Sequence, residues 1–403
     1  MRLQAPRIGS PLGVAALAVV LAAAVLAISR SDLASQHIWA EGPAPALLPA
    51  TTPLGGSFPV RYLPGAAEGP SIRAAAAILM EASTGTILFA KNEHQRRAPA
   101  STTKIVTALL AIESGTLQDL VQVSRRAASV VGSSADLVAG ERYTLEELLY
   151  GLMLPSGNDA AVAIAEHLDG SVEAFARRMN RRARELGAYG SHFVNPHGLD
   201  DPNHYSTAYD LALFARTALQ FPLFARIVGT RAFSSLTHGT TWHNTNRLLW
   251  SFDGATGVKT GTTGRAGNCL VAAASRDGTT LVSVVLDSAD RWADSARLLE
   301  YGFEAFARVE LARRDEEVAT AAVAGGRPAE LRVLAGETLA TVVPIRQVKD
   351  VRGRVELDPL QAPITAGARV GRLVAYVGEQ AVAHVPLIAA HAVARRLWWW
   401  PWR

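Results

Sequence analysis

The chain has 403 residues, 49% of them apolar, enough to bury one large core and a second, smaller one. Its 40 Lys and Arg against 36 Asp and Glu leave a formal charge of +4, and the scattered basic residues form no stripe of the kind that binds nucleic acid. A single cysteine, Cys269, excludes an intrachain disulfide framework, and within the apolar run NCLVAAAS it reads as a buried small hydrophobe.

Arg2 and Arg7 precede an unbroken apolar stretch over residues 12–28, so residues 1–29 read as an export segment, either a cleaved signal or a retained anchor. The remainder is expected outside the cytoplasmic membrane, on its outer face. Residues 30–70, rich in Pro, Ala and Gly without a sustained period, read as a linker. Folded structure is expected from about residue 71. There AAAAILMEASTGTILFAKN predicts two short strands joined at Ser83 to Gly85, and HQRRAPA a loop. Ile105, Leu109 and Ile112 then share one helical face that Gly115 closes.

Thr144 and Glu147 form a capping-box signature ahead of LEELLYGLML, and after PSGN the run DAAVAIAEHL is helical again. Val172, Phe175, Met179, Ala183 and Leu186 make an apolar stripe, leaving Arg177, Arg178, Arg181, Arg182 and Arg184 as a solvated face. From Val258 the pattern becomes strand, turn, strand, an RDG turn and a third strand, followed by a helix over residues 294–306. Five antiparallel strands with a long helical insertion make residues 71–308 an α+β domain. Short β-like segments over residues 309–386 predict a small all-β domain. In residues 387–403, Arg395, Arg396 and Arg403 accompany Trp398, Trp399, Trp400 and Trp402, half of the chain's eight tryptophans. Indole prefers the headgroup layer and arginine favours anionic lipid, so this tail reads as an interfacial membrane anchor, with a disordered tail as the alternative.

Three short motifs carry chemistry: Ser101-Thr-Thr-Lys104, Ser156-Gly157-Asn158 and Lys259-Thr260-Gly261. Residues i and i+3 share a helix face, so the Ser101 hydroxyl and the Lys104 amine can meet at the helix start. To act as a base the lysine must shed a proton that its ordinary pKa near 10.4 retains, and burial with a neighbouring cation would lower that value. Arginine stays protonated, so the placing of two of the chain's four lysines inside these motifs is informative. Ser156 and Asn158 fall in a turn between two helices, which either presents polar side chains to a cleft or caps a helix. Lys259, Thr260 and Gly261 fall on a strand, where Gly261 would let a ligand backbone approach and pair along the edge. No H-E-x-x-H is present, and the loosely spaced His192, His197 and His204 are weak metal candidates, so neither metal nor cofactor is expected.

In this order, the motifs resemble those of the serine D-Ala-D-Ala carboxypeptidases, the low-molecular-mass penicillin-binding proteins. NPHGLDDPNHYSTAYDLA, NTNRLLW, GVKTGTTGRAGNCLVAAAS and the closing VPLIAA are similar to that family too. The resemblance implies a penicillin-binding/β-lactamase-like transpeptidase fold followed by a small all-β domain. It also implies that Ser101 attacks the carbonyl between two terminal D-alanines, that Lys104 is its general base, and that Ser156 and Asn158 relay protons and hold the substrate amide. Lys259 would keep the site electropositive. The N–H groups of Ser101 and Thr262 would form the oxyanion hole, and Thr260 and Arg291 would meet the terminal carboxylate. The implied partners are peptidoglycan stem peptides ending in D-Ala-D-Ala, and β-lactam antibiotics as covalent inhibitors. Alternatives are an endopeptidase on wall cross-links, a non-catalytic wall-binding protein, and a class A β-lactamase. Against the last, the middle motif here is S-G-N and Glu166 lies within the following helix, with no separate acidic loop.

Overall fold

The computed structural model describes residues 61–64, 68–235 and 238–396. The expected export segment, most of the linker and the tryptophan-bearing end of the tail lie outside these residues.

A six-stranded sheet runs in the spatial order β1 (Arg61–Tyr62), β3 (Thr86–Lys91), β2 (Ala76–Glu81), β6 (Thr279–Leu286), β5 (Gly267–Arg276), β4 (Ala255–Thr263). β2 to β6 are the five antiparallel strands expected from the sequence. β1 adds in parallel to β3, and the Leu63 N–H extends the pairing to the Ile87 carbonyl at 3.0 Å. The segment expected as linker to residue 70 is therefore already docked on the sheet at 61–63. All of β2 is buried because each face meets a different core. Ile78 and Met80 pack under the helical insertion, and Ala77 and Leu79 pack under the closing helix.

The insertion between β3 and β4 contains α1 (Lys104–Glu113), α2 (Leu145–Met153), α3 (Asn158–Asp169), α4 (Val172–Glu185), α5 (Ala208–Ala218) and α6 (Pro222–Gly229). α1 is buried from Lys104 to Ile112, so it forms the axis of this layer. The capping box at Thr144 and Glu147 is formed from both sides. On α4 the apolar stripe from Val172 to Ala183 is buried while Arg177, Arg181 and Arg184 are exposed; Arg182 binds Glu113 at 2.7 Å and fastens α4 to α1. Cys269 is fully buried, as expected.

The closing helix α7 spans Arg291–Ala305, three residues earlier at its start than expected, because Asp290 supplies the N-cap. Strand β7 (Phe306–Ala312) follows it directly, so the second domain begins at residue 306, not at 309. There β7 pairs with β10 (Leu339–Pro344), and a five-stranded sheet runs β8 (Glu317–Ala322), β9 (Glu330–Ala335), β13 (Gln380–Ala389), β12 (Arg369–Val377), β11 (Val351–Leu357). The boundary expected between residues 386 and 387 falls inside β13. Leu387 and Ala389 are core residues, and Ala394–Arg395 pairs with Gly326–Arg327, so the domain extends through the first half of the expected tail. Arg308 Nε donates to Ser83 Oγ at 3.0 Å and Arg61 Nη2 to the Val342 carbonyl at 2.9 Å, fixing this domain to the turn and edge of the first sheet.

A chain ending at Pro386 loses three buried core side chains, Leu387, Ala389 and Val393, and the strand end that pairs with β9, at a cost of several kcal/mol. Calorimetry is expected to show the β domain's transition lost in that chain and kept in one ending at Arg396. Equal transitions would return Leu387 to the tail.

Candidate active site

The first motif opens with a 3-10 turn, Ala100–Thr103, that runs into α1. Ser101 therefore sits in the tighter helix and not at the head of an α-helix, as expected from the sequence. The spacing still works because side chains at i and i+3 eclipse in a 3-10 turn. Ser101 Oγ lies 3.0 Å from Lys104 Nζ. Ala100, just before the serine, has φ +49°, an uncommon backbone conformation for a residue with a side chain.

Lys104 is fully buried, and its Nζ reaches two more oxygens, Asn158 Oδ1 at 2.7 Å and the His197 carbonyl at 3.0 Å. The orientation of the Asn158 amide is fixed: its Nδ2 donates to the Val131 carbonyl at 2.7 Å, so Oδ1 faces the lysine. Both oxygens can only accept. A neutral amine has two N–H bonds and one lone pair, so donating to both carbonyls leaves the lone pair for the Ser101 hydroxyl proton. Burial, and then the neighbouring Lys259, hold Lys104 well below its ordinary pKa, against the opposing pull of Asp159.

In the second motif Ser156 has φ +70°, and its buried Oγ has no hydrogen-bond partner among the described residues. Gly157 is packed on three sides: an added Cβ would lie 2.5 Å from Asp159 Oδ1, 2.8 Å from the Ala135 Cβ and 2.9 Å from the Gly151 carbonyl oxygen. An aspartate in this middle position would not fit, which separates the site from the S-D-N arrangement. Glu166 lies eight residues beyond Asn158 on α3, about 12 Å of helical rise away from the motif.

The third motif occupies β4, the edge strand whose outer side has no partner strand among the described residues. Gly261 is required by the protein's own backbone: an added Cβ would lie 2.9 Å from the Ser101 nitrogen and 3.1 Å from the Pro99 oxygen, so the strand runs directly against the Ala100–Thr103 turn. Lys259 is buried and its Nζ has no hydrogen-bond partner among the described residues; burial and then Arg291 push its pKa down to about 7. Thr260 Oγ1 is 2.7 Å from Thr245 Oγ1. Arg291, the first residue of α7, donates from Nη1 to the Gly261 carbonyl at 2.9 Å and to Thr262 Oγ1 at 2.8 Å. The fold thus gathers Ser101, Lys104, Ser156, Asn158, Lys259, Thr260, Gly261, Thr262 and Arg291 around one end of the sheet.

Three contributors were not identified from the sequence. His197 enters through its backbone carbonyl, which no side-chain pattern reveals. Thr245 lies in NTNRLLW and Asp159 directly follows S-G-N, and neither had been given a role. His197 and His204 serve the loop over residues 194–204. His204 Nδ1 accepts from the Val194 N–H at 3.2 Å, so its Nε2 carries the proton that bonds Thr103 Oγ1 at 2.9 Å, while Thr107 donates to the Pro196 carbonyl at 2.6 Å. The middle of the loop is tied to β4, where Thr263 Oγ1 donates to Asp200 Oδ1 at 2.6 Å.

Comparison with known proteins matches residues 64–290 to the D-alanyl-D-alanine carboxypeptidase family and residues 306–395 to the penicillin-binding protein 5 C-terminal domain. The chain is 36% identical over 329 residues to D-alanyl-D-alanine carboxypeptidase DacF of Bacillus subtilis, covering 78% of this chain and 85% of that protein. It is likewise 36% identical over 358 residues to DacD of Escherichia coli, covering 84% and 92%. Penicillin-binding protein 5 of Haemophilus influenzae superposes with a TM-score of 0.72 at 31% identity, over 81% of this chain and 99% of that one.

Burial lowers the pKa of His197 to about 3 and that of His204 to about 4. Both values lie below the ordinary 6.5 or so, so the unfolded chain takes up these protons first. The stability is complete above about pH 6.5 and falls as pH drops toward the folded values, by about 2 kcal/mol per histidine at pH 5. Denaturant midpoints measured between neutral pH and pH 5 should show this slope, and His204→Gln should flatten it. An unchanged slope in that variant would show that His204 is not held neutral.

Proposed function

This chain belongs to the D-alanyl-D-alanine carboxypeptidase family and is a serine peptidase acting on peptidoglycan, and from that premise we propose how its residues carry the reaction. Ser101 is the nucleophile and Lys104 its base. The carrying observation is the 3.0 Å approach of Ser101 Oγ to an amine whose two other neighbours are carbonyl oxygens. The hydroxyl proton passes to Lys104 Nζ as Oγ bonds to the carbonyl carbon of the penultimate D-alanine. The N–H groups of Ser101 and Thr262 stabilise the resulting oxyanion, a reading supported by the contact of β4 with the nucleophile turn.

Collapse of that intermediate breaks the peptide C–N bond. The departing D-alanine nitrogen takes the proton back from Lys104 through Ser156, whose unpartnered buried hydroxyl suits a relay that is completed when substrate is present. Asn158 holds the substrate amide and the lysine together. Water then hydrolyses the acyl-enzyme, using the same base in reverse. The terminal carboxylate is received by Lys259, Thr260 and Arg291. An arriving carboxylate stabilises the charged form of Lys259, an amine otherwise pushed to about 7, so the positive charge is strengthened when substrate needs it. β-Lactams would acylate Ser101 and block the site.

The expected export segment and tryptophan tail support a position on the outer face of the cytoplasmic membrane. No single helix among the described residues is long and apolar enough to cross a membrane.

Incubation with a pentapeptide ending in D-Ala-D-Ala is expected to release free D-alanine, penicillin to abolish the release, and Ser101→Ala to be inactive. Release by Ser101→Ala would overturn the assignment. Arg291→Ala is expected to raise KM about tenfold or more for peptides with a free terminal carboxylate, with little change for amidated ones. Equal effects on both would remove Arg291 from carboxylate binding. Removing residues 397–403 is expected to release the enzyme from anionic vesicles, and retained binding without the N-terminal segment would refute the anchor.

A further inference from the structure

Asp159 directly follows the S-G-N motif and is 2% exposed. Its carboxylate accepts from the Ala135 N–H at 2.9 Å, from the Leu137 N–H at 3.2 Å and from Ser134 Oγ at 2.6 Å, besides the adjacent Ala160 N–H at 2.9 Å. These bonds fall on a loop with little packing of its own. Val131, Gly132, Ser133, Ser134 and Asp136 are exposed, and the two buried residues, Ala135 and Leu137, are those whose N–H groups the carboxylate holds. One further bond, from Trp242 Nε1 to the Ala135 carbonyl at 2.9 Å, steadies the same point.

The loop returns two bonds to the motif. The Val131 carbonyl takes Asn158 Nδ2 at 2.7 Å and the Ser133 carbonyl takes the Asn158 N–H at 2.8 Å. The first of these decides which way the Asn158 amide faces, and hence that an acceptor oxygen meets Lys104 at 2.7 Å. Gly157 is the matching half of the arrangement, since the carboxylate occupies the space a side chain there would need.

We propose that Asp159 is a positioning residue of the acylation step: it holds the 131–137 loop, the loop sets the Asn158 amide, and the amide sets Lys104. This rests on the reading of Lys104 as the base. The charged and titratable groups that face Lys104 are Lys259, Asp159 and His197, and Asp159 is the one that favours the protonated amine.

The test uses the full chain, with acylation of Ser101 by a labelled penicillin followed against pH in Asp159→Asn, Ser134→Ala and Lys104→Arg. Asp159→Asn is expected to slow acylation about tenfold to a hundredfold through loss of base positioning. Its KM for a D-Ala-D-Ala peptide should change by less than about threefold, because the carboxylate-binding groups are untouched. Its acid limb should move to lower pH, because the charge favouring protonated Lys104 is gone; a purely structural residue would lower the melting temperature without moving the limb. Ser134→Ala, which deletes one part-buried bond to the same carboxylate, should slow acylation about twofold to fivefold and decides the matter if Asp159→Asn does not fold. Parental rates and an unmoved limb in a folded Asp159→Asn, or a parental rate in Ser134→Ala where the former does not fold, would overturn the inference. If Lys104→Arg acylates normally, it is the base assignment that fails; if Lys104→Arg is inactive while the loop variants are normal, the Asp159 inference alone fails.

Discussion

The site depends on one constraint: Lys104 has three oxygen neighbours inside the protein, and two of them can only accept. A charged ammonium would donate to all three and bind the Ser101 hydroxyl oxygen, leaving no base. A neutral amine satisfies both carbonyls and turns its lone pair to the hydroxyl. Burial supplies the energy for that choice, because stripping water from an ammonium is expensive and a second cation, Lys259, shares the pocket. The fold's task is to keep water out and the two carbonyls in place.

It does so with elements from well-separated parts of the chain. The nucleophile turn and α1 form the buried axis of the helical layer, S-G-N opens α3, and the 194–204 loop brings in the His197 carbonyl. β4 closes the other side as the open edge of the sheet. The loop is fastened near both ends to Thr103, Lys104 and Thr107 and in its middle to Thr263, so Lys104 and β4 are held by one piece of backbone. Of the seven non-glycine residues with positive φ among the described residues, Ala100 and Ser156 are the two that are neither Asn nor Asp, and both lie in this same place.

Much of this was legible in the sequence because the chemistry lies in side chains with distinctive spacing. Lysines are scarce in this chain, so Lys104 and Lys259 stood out, and the strand periodicity around Val258 put Lys259 on a sheet. Roles carried by backbone were not legible: the His197 carbonyl leaves no mark in the residue type, and the sequence shows the histidine only as a weak metal candidate. Asp159 carries no role in the sequence pattern, since its partners at 134–137 lie in a loop without period. Arg61–Tyr62 is too short for alternation to register and was read as linker. The end of the β domain was misplaced because VPLIAA continues as an apolar strand beyond Pro386, and its inward residues, Leu387 and Ala389, are recognisable only against β9.

The charge state of Lys104 can be observed directly. With four lysines in the chain, nitrogen-15 labelling of lysine side chains gives a spectrum simple enough to assign by Lys104→Arg and Lys259→Arg. The account requires the Lys104 nitrogen to show the shift of a neutral amine at neutral pH, with Lys259 titrating at about 7. A Lys104 signal that stays that of an ammonium through neutral pH, and loses its proton only near the ordinary lysine value, would contradict it.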